Sequence, residues 1–131
     1  MYKIIIDANV WIKYARAKNI APILNRLTAY NLIPIVNNYL LVEVFNALIE
    51  NKWMNSKQAY NTVSFIRKVA IVVAEKAVYG LSPDPHDNYL FDLAIQTNCV
   101  FIISDDRELS EFRLKPLPVH SASWFLKTFS T

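Results

Sequence analysis

Glycine is almost missing from this chain: one residue, Gly80, in 131. That excludes a P-loop and a G-x-G-x-x-G nucleotide fingerprint, both of which need several glycines. A single cysteine, Cys99, excludes an intrachain disulfide and any multi-cysteine zinc site. One free thiol fits a reducing cytoplasm. The two histidines, His86 and His120, fit no H-E-x-x-H pattern, and no G-x-S-x-G elbow is present. The apolar start Ile4-Ile5-Ile6 is cut by Asp7 too soon for a signal peptide. No apolar run approaches the ~18 residues of a membrane span, so no membrane association is expected. A net charge of +3 is too mild to name a partner. What the chain does have is 53% hydrophobic residues, enough for a real core in one domain spanning residues 1–131.

Short β-branched runs alternate with helical patterns. Tyr2 to Ile6 reads as a strand and a helix is expected from about Val10. A second helix covers Ile20 to Tyr30, with Ala21, Ile23, Leu24 and Leu27 on its apolar side. Leu32 to Val36 reads as a strand whose middle is weakened by Pro34. Asn37 and Asn38 offer caps for a helix to about Asn51, striped by Leu41, Val44, Phe45 and Leu48. Ser56 is expected to cap a helix to about Lys68, and Val69 to Ala74 suits a buried strand. Ser82-Pro83-Asp84-Pro85 is turn chemistry before a helix from His86 to Asn98. Val100 to Ile103 is the clearest strand, Leu117 to Val119 a last short one, and Ser121 starts a closing helix. The expected fold is α/β, a mainly parallel sheet of about five strands with helices on both faces.

In such a sheet ligands bind beyond the carboxyl ends of the strands. Two apolar runs here end in acid: Ile4-Ile5-Ile6 delivers Asp7, and Ile102-Ile103-Ser104 delivers Asp105 and Asp106. Taken singly, an Asp after a strand is ordinary turn or cap chemistry. Asp87 shares a helix face with Leu90, Phe91 and Ala94, whereas Asn88, Asp92 and Gln96 form the expected wet stripe. Glu43 lies at the border of its helix's core stripe, with Leu40, Asn46 and Ala47 at helical spacing.

Carboxylates converging near strand ends repel one another unless a cation sits among them. Hard oxygen donors without Cys or His point to Mg²⁺ or Mn²⁺, ions that lower the pKa of water for attack on a phosphodiester. Setting aside Asp7, Glu43, Asp87 and Asp106 leaves 14 basic against 7 acidic residues. A basic body around an acidic pocket suits a nuclease, since phosphate contacts dominate its affinity. Lys13 and Arg16, one turn apart after Asp7, and Arg107 are the candidate phosphate contacts; as ordinary solvated charges they would need no such role. Trp11, Trp53 and Trp124 are read as core or interface packing, Cys99 as a small buried hydrophobe, and His120 as a cap-region residue.

The motifs together resemble the PIN domain family. Ile5-Ile6-Asp7-Ala8-Asn9-Val10 is similar to its opening strand, acid and following Asn. Leu40-Leu41-Val42-Glu43-Val44 carries the second acid, and Asp84-Pro85-His86-Asp87 leads into the apolar Tyr89-Leu90-Phe91-Asp92-Leu93-Ala94. Ile103-Ser104-Asp105-Asp106-Arg107-Glu108-Leu109 resembles the family's Thr-x-Asp-x-Asp segment. The resemblance implies a three-layer α/β/α fold and a Mg²⁺- or Mn²⁺-dependent ribonuclease. Asp7, Glu43, Asp87 and Asp106 would be its acidic quartet, with Asn9 and Ser104 orienting them. It also implies a toxin of a toxin–antitoxin pair, inhibited by a small antitoxin protein and assembled as a homodimer. Two positions depart from the pattern: Ala8 stands where Ser or Thr is common, and Asp105 where a small or neutral residue is usual. The second leaves Asp105 and Asp106 as competing metal-side acids, with Asp106 favoured by its place two before Glu108. The alternatives are a PIN-like module that binds RNA or protein without cutting, and a phosphoryl-transfer enzyme with Asp7 as nucleophile. The second lacks the acid expected two residues on, where Asn9 stands.

Overall fold

The computed structural model describes residues 1–74 and 89–130. Asp84, His86, Asp87 and the turn around Pro83 and Pro85 lie outside the described residues.

Five parallel strands form one sheet in the order β3-β2-β1-β4-β5. They are β1 (Tyr2–Ile6), β2 (Leu32–Asn37), β3 (Ile71–Val73), β4 (Phe101–Ile103) and β5 (Val119–His120). Seven helices accompany them among the described residues, giving a three-layer α/β/α fold: α1 (Ala8–Arg16), α2 (Ala21–Ala29), α3 (Asn38–Glu50), α4 (Ser56–Val69), α5 (Tyr89–Thr97), α6 (Arg107–Glu111) and α7 (Ala122–Thr128). None is long and apolar enough to cross a membrane. The centre of the sheet is a continuous apolar run because both its faces are covered. Ile4, Ile5 and Ile6 are all essentially unexposed, as are Ile102 and Ile103 beside them. Each such isoleucine contributes roughly 2 kcal/mol by burial. Trp11, on α1, is also fully buried and belongs to this core.

Three expectations are corrected by the packing. Val69 to Ala74 is not a buried strand: β3 is an edge, with Ile71 and Val72 exposed. The cap of α4 is Asn55 rather than Ser56, in a reciprocal capping box with Gln58. Asp92 is not on a solvated stripe but buried, because α5 is covered over Leu90, Phe91, Leu93 and Ala94 as well. His120 ends β5 directly before Ser121, the cap of α7, and its ring stacks on Trp124 at 3.6 Å between centroids. Pro34 is tolerated mid-strand because pairing with β3 begins only at Ile35, so that side of β2 is still an open edge.

Lack of glycine shows in the helix ends. Lys18, Asn31, Lys52 and Asn98 each take a left-handed backbone, φ 54° to 58°, just past α1, α2, α3 and α5. Glycine is the usual residue there, and a side chain in that region costs about 1 kcal/mol or more.

Candidate active site

The strand order reverses about β1: the chain runs outward through β2 and β3, then returns to place β4 on the other side of β1. Such a switch point opens a crevice at the carboxyl ends of the two adjacent strands. Ile6 and Ile103 are register partners there, and the Asp7 N–H donates to the Ile103 carbonyl at 2.9 Å. The next residues, Asp7 and Ser104, therefore leave the sheet side by side.

Asp7 is 6% exposed and stands at the N-cap position of α1, yet its side chain makes no cap hydrogen bond. It accepts instead from the Ser104 hydroxyl, at 2.8 Å to Oδ2. The Ser104 hydroxyl in turn accepts from the Asp106 N–H at 3.0 Å. One buried serine thus fixes both an acid and the backbone of the loop that carries another. Burial pushes the Asp7 carboxyl above its ordinary pKa, opposed by the Ser104 hydroxyl and the nearby Asn9 and Ala8 N–H groups, and reinforced by the Asp106 charge.

Asp7, Asn9, Glu43 and Asp106 line one polar cavity of about 90 Å³ with Tyr89, Leu90 and Leu109. Glu43 comes from α3, whose start is set by Asn37: its Oδ1 accepts from the Leu40 N–H at 2.9 Å. The Tyr89 hydroxyl donates to Glu43 Oε1 at 2.9 Å. Burial, then the neighbouring Glu43, pushes the Tyr89 phenol far above its ordinary pKa, so it stays a donor. In the sequence Tyr89 reads only as part of an apolar helix; its place two residues after Asp87 is the available signal.

Asp105 and Asp106 are placed differently. Asp106 lines the cavity while its Oδ1 also caps α6, accepting from the Glu108 N–H at 2.9 Å. Asp105 points elsewhere: Oδ1 accepts from the Ala122 N–H at 3.0 Å and Oδ2 lies 3.9 Å from Lys13 Nζ. Lys13, Arg16 and Arg107 are not among the cavity's described lining. Arg16 sits over the Trp53 ring at 4.2 Å, and Arg107 pairs with Glu111 at 3.1 Å.

No lysine, arginine or histidine is among the described lining, and all the carboxylate oxygens are hard donors. That donor chemistry fits Mg²⁺ or Mn²⁺, and about 90 Å³ gives room for an ion with a few waters. Among the described residues no group of three or more acids, histidines or cysteines stands as a complete metal site.

The comparisons with known proteins agree with this fold. The chain is similar in structure to PAE2754 from Pyrobaculum aerophilum, known from a crystal structure, with a TM-score of 0.64 at 13% identity, covering 98% of this chain and 90% of that one. None of the curated proteins matches the sequence. The PIN domain family matches over residues 3–108, from β1 to the start of α6. That span takes in each of the motifs around Asp7, Glu43 and Asp106, and the chain therefore belongs to the PIN domain family, whose members are generally metal-dependent nucleases.

Proposed function

We propose that this PIN domain is a Mg²⁺- or Mn²⁺-dependent endoribonuclease that hydrolyses RNA phosphodiester bonds. The observation that carries the reading is the convergence of Asp7, Glu43 and Asp106, from three separate elements, on one small polar cavity at the sheet's switch point. Asp87, two residues before Tyr89, is assigned as the fourth acid. A divalent cation held by these four would lower the pKa of water and offset charge on the phosphate. The chain's own groups set the stage for it. Ser104 holds Asp7 in place, the cap bond to α6 fixes Asp106, and Tyr89 holds Glu43. Asn9, on the cavity wall, adds a neutral polar group beside the acids.

The finer reading follows the family resemblance: a single-domain toxin, residues 1–131, acting in the cytoplasm as a homodimer and restrained by a small antitoxin protein. The alternative is a PIN module that binds RNA or protein without cutting.

Total cellular RNA incubated with the protein and Mn²⁺, with new ends mapped by sequencing, separates the two. Discrete ends that vanish with a chelator and in Asp7→Asn and Asp87→Asn support the nuclease. Unchanged RNA, from folded protein free of any partner, supports the binding module.

A further inference from the structure

A second depression adjoins the acid cavity. It runs along α3, has a volume of about 530 Å³, and shares Glu43 with the cavity as a common wall. Its described lining includes Tyr39, Val42, Asn46, Ala47 and Glu50 and contains no basic side chain. A groove of that composition does not take phosphate, the charged part of a nucleic acid. It offers a flat aromatic surface, small apolar walls, an amide and a carboxylate, which together suit an uncharged ring with amino groups on its edge.

Tyr39 is 49% exposed, although its ring packs against Tyr89 with centroids 4.6 Å apart. Tyr89 in turn donates to Glu43. The half-exposed ring therefore packs on the group that holds a cavity acid. Asn46 and Glu50 stand one turn apart on α3, with Glu50 two turns, about 10 Å, beyond Glu43. A chain whose phosphate lies at the acid cavity would bring the base of a flanking nucleotide over this stretch.

We propose that the α3 groove is a nucleobase subsite, with Tyr39 the stacking platform for a base beside the cleaved bond. This rests on the nuclease reading for the position of the phosphate. A base seated there has left any duplex, so the substrate at this position is single-stranded.

The test is RNA binding by fluorescence anisotropy, with Asp7→Asn as background so that the strand stays intact. The probes are a short single-stranded RNA containing a mapped cleavage position, or a mixed-sequence strand if none is found, and copies carrying one abasic site at each position in turn. Tyr39→Ala is expected to weaken binding by roughly 10-fold or more, and Tyr39→Trp to restore it, as loss and return of one base stack would do. One abasic position should weaken binding to the Tyr39-containing protein by a similar factor and have no further effect on Tyr39→Ala. Equal binding by Tyr39→Ala, or losses that add at every abasic position, overturns the subsite while leaving the nuclease reading intact. A parent protein that binds with this Tyr39 dependence yet cuts nothing in Mn²⁺ overturns the nuclease reading and leaves the base stack standing. Thermal melting of each variant checks that the half-exposed position has not cost the fold.

Discussion

Replacing Ser104 with Ala removes one oxygen and, with it, two hydrogen bonds. The bond to Asp7 Oδ2 is short, buried and made to a carboxylate. Bonds to charged groups contribute about 1.5–3 kcal/mol, and the part-buried Asp106 N–H that loses its acceptor adds about 1 kcal/mol. A loss of roughly 2–4 kcal/mol follows, or a fall in melting temperature of about 8–16 °C for a chain of this size. Calorimetry in a chelator at pH 7 measures it. Ser104→Thr keeps the hydroxyl and is expected to stay within about 1 kcal/mol of the parent.

The loss carries a pH signature that simple packing would not. Ser104 favours the ionised Asp7 carboxylate and so holds the folded-state pKa below the value it would have in the Ala variant. The parent's advantage is therefore present above the ionisation of Asp7 and shrinks as pH falls through it. Because burial raises that pKa, the gap begins to close above the ordinary 3.8. Equal melting temperatures at pH 7, or a gap that is as wide at pH 4 as at pH 7, would refute the assignment of Ser104 as the group that holds Asp7.

Asp7→Asn abolishes cleavage and Mn²⁺-induced stabilisation, and in chelator it gains stability relative to the parent as pH rises. The sign follows from a folded pKa raised by burial: the parent loses stability as Asp7 ionises, and the amide does not. A constant difference between pH 4 and pH 7.5 contradicts this. Tyr89→Phe keeps the ring against Tyr39 but removes the donor to Glu43, so the Mn²⁺ concentration giving half the thermal shift rises about 10-fold; an unchanged titration sinks that role. Lys52→Gly relieves a side chain at φ 58° and raises stability by about 0.5–1 kcal/mol, read as a denaturant midpoint at constant slope. The Tyr39 variants complete the set through RNA binding.

Much of the fold was legible because its centre is locally unambiguous. Ile4-Ile5-Ile6 and Phe101-Ile102-Ile103 are too short for helices and too apolar for a one-sided sheet, so two buried parallel strands were the consistent reading. Asn37 and Ser121 were legible as caps for the same reason, since a side-chain acceptor before an apolar helix has a known use. Errors fell where tertiary position overrides pattern. Ile71-Val72-Val73 has the composition of a core strand, but nothing in three residues says that it lies at the end of the sheet order. Asp92 fits a polar stripe at four-residue spacing, yet it is buried, while Gln96, at the next step, donates to the Ala74 carbonyl at 3.1 Å. Amphipathic spacing predicts a wet face only when a helix has one.

The site was legible in its acids and not in its wiring. Strand ends announce Asp7 and Asp106 because a parallel sheet gathers them at one edge. Glu43 needed the family resemblance, since on a helix a border glutamate looks like any other. In the sequence only the place two before Glu108 favours Asp106 over Asp105, two acids in succession after β4. What separates them is the chain beyond: α7 offers the Ala122 N–H to Asp105, α1 offers Lys13, and α6 takes Asp106 as its cap. Asp105 is thereby turned toward the protein's own backbone and charge, leaving Asp106 on the cavity wall with Asp7 and Glu43. The same logic explains why Tyr89 escaped notice. A tyrosine's function is set by what its hydroxyl meets, and Glu43, 46 positions earlier in sequence, is brought to it only by the packing of α5 and α3 around the switch point.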